Sequence, residues 1–113
     1  MNSIDYNKYT NDYGVTYVVS INYNDGGYMF NIGVDDWNRD NLISIFIRAR
    51  YTQDRVEAII NNHFIKIAEW LDKKFNGSIE PFIDEEYTEL QNYRTQIKAW
   101  VDEMLEKYPE YIS

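Results

Sequence analysis

The chain has 113 residues, with 19 Asp and Glu against 11 Lys and Arg, a net charge of -8 and no cysteine. That length supports one domain with its own core. The absence of cysteine excludes disulfides, thiol catalysis and thiolate metal sites. The acidic balance argues against nucleic acid or an anionic membrane as a direct ligand, because phosphate recognition rests on Lys and Arg.

The charge is uneven: residues 1–50 carry 4 basic against 6 acidic side chains, 51–83 carry 4 against 5, and 84–113 carry 3 against 8, which places -5 at the end. Residues 1–13 are rich in Asn, Asp and Tyr, show no clear period and lack the basic-then-apolar layout of a signal peptide. They read as an irregular N-terminal arm or a short added strand, ahead of a single domain over 14–113. No apolar run is long enough to span a bilayer, so a cytoplasmic protein is expected.

Val15, Tyr17, Val19, Ile21 and Tyr23 alternate with Thr16, Val18, Ser20 and Asn22, the pattern of a half-buried strand. Asn24-Asp25-Gly26-Gly27 follows, and residues tolerant of positive φ at that spacing predict a tight hairpin. The returning strand, Tyr28 to Val34, would bury Tyr28, Phe30, Ile32 and Val34. Asp35 to Asn41 reads as a polar connection. From Leu42 to Ala49, Ile43, Ile45, Ile47 and Ala49 share one face of an extended chain and Ser44, Phe46, Arg48 and Arg50 the other, which predicts a third strand.

After Tyr51 the period becomes helical, with Val56, Ile59, Ile60, Phe64, Ile67, Leu71 and Phe75 at three- and four-residue steps. Thr52 or Asp54 can cap its start, Lys73 and Lys74 suit its last turn, and Asn76-Gly77 supplies its stop. A second helix would begin after a capping Asp84 and bury Leu90, Ile97, Val101, Met104 and Tyr108, flanked by Tyr87, Tyr93, Trp100 and Leu105; Pro109 ends it. The expected architecture is therefore α+β: a three-stranded antiparallel meander followed by two helices packed on one sheet face, β-β-β-α-α, with the opposite face open.

On that open face Val18, Met29 and Phe46 would lie together, with Leu42 nearby and Arg48 and Arg50 at one end. Apolar residues ringed by Arg are the make-up of a protein contact patch. Ile65, opposite the buried stripe of the first helix, is a lesser position of the same kind. Tyr6, Tyr9 and Tyr13 could serve an adaptable binding surface, since a stiff amphipathic ring gives contact area at little entropic cost.

Chemistry-bearing patterns are sparse. Asp36, Asn38 and Asp40 match the first half of a calcium loop, but Asn41 stands at the turn glycine and Ile47 at the bidentate Glu position, so these residues read as a polar turn. His63 has no second His at helical spacing and reads as a partly buried polar group near a helix interface. Asp102, Glu103 and Glu106 read as a solvated acidic face. Asn76-Gly77-Ser78 fits a glycosylation pattern yet serves better as the helix stop.

The run Arg48-Ala49-Arg50-Tyr51-Thr52-Gln53-Asp54-Arg55-Val56-Glu57-Ala58-Ile59, with Asn61 and Asn62, resembles a pattern in small uncharacterised phage- and prophage-encoded proteins of gut anaerobes. Their last helix is similar to Glu86-Tyr87, Leu90-Gln91, Tyr93-Arg94 and Lys98. The resemblance covers about half the chain and implies a mobile-element origin; it carries no activity. The function expected from the sequence is a non-enzymatic protein-interaction module, a phage or prophage accessory or structural protein, binding a protein partner or a second copy through the open sheet face, with no cofactor and no metal. The alternatives are an acidic mimic of DNA that inhibits a host nucleic-acid enzyme, through the last helix, and a small enzyme.

Overall fold

The computed structural model describes residues 2–110. Three strands, β1 (Ser3–Asn11), β2 (Gly14–Tyr23) and β3 (Gly26–Gly33), form an antiparallel sheet in the order β1-β2-β3. A short 3-10 turn over Val34–Asp36 leads to three helices: α1 (Arg39–Arg50), α2 (Gln53–Phe75) and α3 (Glu85–Lys107). The α+β class and a three-stranded antiparallel sheet followed by helices are as expected, but the strands that make the sheet differ in two places and the helices number three rather than two.

The first is the N-terminal stretch, which forms the added strand rather than the irregular arm. Residues 3–11 pair with β2 along its whole length, from Ser3 opposite Asn22 to Asn11 opposite Gly14. Asp12 and Tyr13 make the hairpin, and Gly14 takes the positive φ of 133° that its tightness requires. Only Ile4 and Tyr6 of this edge strand reach the core, so its sequence carries almost no alternation.

The second is the segment expected as the third strand, 42–49, which is the helix α1. Its three isoleucines at alternate positions imitate a strand, yet Leu42 and Phe46, four apart, are its buried pair, as a helix requires. Asn38 caps it by accepting from the Asn41 N–H at 3.0 Å, and Arg48 and Arg50 lie in the last turn, where the dipole favours cations. Ile43, Ile45 and Ile47 are half-buried around the same core, which is why the helix is apolar on so much of its circumference. A short apolar run does not by period alone separate a strand from a buried helix.

The core joins Tyr17, Val19, Ile21 and Tyr23 of β2 and Ile32 of β3 to Leu42 and Phe46 of α1 and to Tyr93, Ile97, Val101 and Met104 of α3. Trp37, placed by the sequence in a polar connection, is fully buried: it stacks on Tyr17 at 3.9 Å and its indole N–H donates to the Tyr108 carbonyl at 2.7 Å. The Tyr93 hydroxyl donates to the Phe46 carbonyl at 2.7 Å and meets the Tyr23 hydroxyl at 2.6 Å. With the Tyr93 proton committed to that carbonyl, Tyr23 is the donor between the two phenols. Three elements are thereby fastened at one buried point.

α2 contributes little to this core. Val56 and Ile59 join Leu90 in a separate small cluster, with Ile47, Tyr51, Ile60 and Tyr87 at its edge. The molecule measures 68 × 27 × 23 Å with a radius of gyration of 18.6 Å, against about 13 Å for a compact globule of this length.

Candidate functional site

The six residues expected to share an open face are dispersed. Leu42 and Phe46 are buried in the main core on α1, a consequence of that segment being a helix. Val18 and Met29 remain on the outer sheet face, where the register surrounds them with Asp5, Asn7, Ser20 and Asn31. Arg48 donates to Gln53, and Arg50 forms a two-pronged ion pair with Asp25 at 3.1 Å while lying 4.1 Å from the centre of the Tyr23 ring. The outer sheet face is thus mainly polar, and the expected apolar patch is not assembled there.

Met29 apart, the large exposed aliphatic and phenylalanine side chains gather elsewhere, on the second half of α2 and the segment that follows it. Thr52 caps α2 by accepting from the Arg55 N–H at 3.1 Å, and its first two turns rest on α3 through Val56, Ile59 and Leu90. At His63 the two helices part. The His63 ring stacks on Tyr87 at 3.5 Å, its Nδ1 lies 3.0 Å from Oδ2 of Asp84, and Lys66 Nζ reaches the other oxygen at 3.2 Å. Asp84 is also the cap of α3, accepting from the Tyr87 N–H at 3.3 Å. Burial pushes its carboxyl upward, but the bonds from His63, the Tyr87 N–H and Lys66 outweigh that and hold it below the ordinary carboxylate range.

Because α3 starts at this clamp, the last turns of α2 have no helix beside them among the described residues. Their inner side meets the returning segment: the Trp70 indole donates to the Glu80 carbonyl at 2.8 Å, Phe82 packs edge-on to Trp70 and His63, and Lys74 lies over Trp70. Gly77, at φ 96°, closes the helix, and the Gly77 and Ser78 amides donate to the Lys74 and Lys73 carbonyls. The outer side carries Phe64, Leu71 and Phe75, which are 64%, 52% and 92% exposed, with half-buried Ile67 between Phe64 and Leu71 and half-buried Ile60 one turn before Phe64. Ile79 and Ile83 add exposed apolar surface on the returning segment.

The sequence singled out Phe64, Ile67, Leu71 and Phe75 as a stripe but assigned it to the core. Periodicity reports that one face of a helix is apolar; it does not report whether this chain or another covers it. His63 is the partly buried polar group at a helix interface that the sequence indicated. Its partner Asp84 was legible only as a cap.

The remaining expected sites have structural uses. Asn38 caps α1 and Asp36 accepts from the Asn41 amide at 3.2 Å, as in a polar turn. On α3, Asp102 pairs with Arg39 at 2.9 Å, Glu86 with Arg55 at 3.0 Å, and Glu103 accepts from Tyr6 at 3.1 Å. Tyr9 and Tyr13 are exposed. Among the described residues, no helix is long and apolar enough to cross a membrane. Compared with known proteins, the chain matches no family model, and no curated protein or solved structure is significantly similar to it.

Proposed function

We propose that this chain is a non-enzymatic protein-interaction module whose docking surface is the outer face of α2. The sheet, α1 and α3 act as the base, and the clamp of His63, Lys66 and Asp84 fixes the angle at which α2 leaves it. One observation carries this reading: Phe64, Leu71 and Phe75 lie on one side of a helix and stand largely in water. Two exposed phenylalanines alone leave on the order of 300 Å² of apolar surface uncovered, and contiguous patches of that size on a soluble chain are characteristic of contact sites.

The test is affinity capture from a nuclease-treated lysate, comparing the native chain with Phe64→Asp and Phe75→Asp. A stoichiometric protein, this chain included, that is retained at high salt and lost with both variants is the expected result. Capture unaffected by either variant, or lost with salt alone, contradicts an apolar docking face. We further propose that the module is an accessory or structural component of a phage or prophage. Neighbouring genes of a phage module would support that setting, and a housekeeping operon would argue against it.

A further inference from the structure

The apolar stripe of α2 has an internal symmetry. Val56, Ile60, Phe64, Ile67, Leu71 and Phe75 follow one another at steps of 4, 4, 3, 4 and 4, a spacing that reads the same from either end. Reversal about its midpoint places Phe64 opposite Ile67, Ile60 opposite Leu71, and Val56 opposite Phe75. A two-fold interface needs this self-complementarity, since the patch that residue i offers must fit residue j and the reverse.

The two ends of the stripe also differ in shape. Phe75 is the most exposed member, a ring standing almost wholly in water at the far end of α2. At the other end is an open depression of about 290 Å³ between α1 and α2, with an apolar floor of Ile43, Ile47, Val56 and Ile60 and a polar wall that includes Glu57, with Arg48 and Arg94. An apolar cavity of about 150 Å³ already accepts benzene, so this one has room for a phenyl ring. The symmetry that brings Phe75 of one copy over Val56 of another delivers the ring to that depression.

We infer that the occupant of the α2 face is a second copy of this chain, docked antiparallel along α2, with Phe75 of each copy seated in the depression at the base of the other. This rests on the reading of the face as a docking surface and names its partner. Charge favours the antiparallel choice. In that register Glu57, at the wall of the depression, comes opposite Lys74 of the partner helix, whereas a parallel pair would bring Lys73 and Lys74 of both copies together.

The chain lacks cysteine, so a single Lys73→Cys carries one spin label cleanly. Sedimentation equilibrium of the unlabelled chain should give a dimer at tens of micromolar. The dipolar spectrum of the labelled dimer should place the two labels about 22 Å apart along the axis, at ~1.5 Å of rise per residue. Phe75→Asp and Phe64→Asp should each give a monomer with an unchanged helical circular-dichroism spectrum, because both side chains are already in water. A native chain that stays monomeric at several hundred micromolar overturns the inference. So does a dimer whose labels lie within about 10 Å, or one that Phe75→Asp leaves intact. A monomer that still captures another protein through Phe64 and Phe75 also overturns self-docking, while leaving the docking reading in place.

Discussion

Tyr93 shows how one side chain can hold several elements. Its ring is buried among Tyr23, Tyr51 and Arg50, and its hydroxyl bridges the Phe46 carbonyl and Tyr23. Burial, and then the neighbouring Tyr23, push its ionisation well above that of a free phenol. Folding therefore favours the protonated form: the stabilisation is complete below about pH 10 and is lost as pH rises beyond the unfolded value. Urea melts should be flat with pH up to about 10 and weaken above it. Tyr93→Phe should cost about 1–3 kcal/mol at neutral pH, because it removes the bond to the Phe46 carbonyl and leaves the buried Tyr23 hydroxyl without Tyr93 as its partner, and should flatten the alkaline loss. Asp84 works in the opposite sense. Its lowered carboxyl contributes stability above about pH 4 that is lost as pH falls through the folded-state value. Asp84→Asn should lower the melting temperature at pH 7 and reduce its difference from pH 3; an unchanged melting temperature at pH 7 would show that the clamp holds nothing.

At the level of elements, local chemistry decides most starts and stops, and those were readable. The cap Asp84 and the stop at Gly77 follow from residue type and spacing, and of the two residues able to cap α2, Thr52 and Asp54, it is Thr52 that makes the bond. The hairpin at Asn24-Asp25 and the buried side of β2 were equally plain. What local chemistry does not encode is the choice between two periods that one run satisfies. Ile43, Ile45 and Ile47 fit a strand, and Leu42 with Phe46 fits a helix; the helix is fixed by its Asn38 cap and by a core in which Phe46 packs edge-on to Phe30. The polar edge strand β1 was obscure for a related reason, because only Ile4 and Tyr6 among its residues have a core to face. Two substitutions check this account by thermal and urea melts. Phe46→Ala should cost about 3–5 kcal/mol, as for a phenylalanine removed from a closed core. Asn38→Ala should cost about 1 kcal/mol and loosen the first turn of α1. A Phe46→Ala protein of native stability would return that residue to a surface.

For the whole molecule, the decisive property is that α2, one of its two 23-residue helices, is not folded into its main core. A sequence specifies the apolar side of α2 through Val56, Ile60, Phe64 and Leu71, but the partner of that side is set by where α3 begins. That in turn depends on Asp84 meeting His63 and Lys66 across 21 and 18 positions of sequence. Contacts at that separation leave no period to read, so the candidate site was visible as residues and invisible as a surface. The same layout predicts which regions respond to association: α2 beyond His63 and the returning segment should change, and the sheet should not. The most direct measurement is amide hydrogen exchange of the purified chain across a hundredfold range of concentration. Self-docking along α2 predicts that residues 64–75 gain protection as concentration rises while β2 and α3 stay constant. Exchange in residues 64–75 that is fast and independent of concentration would contradict it.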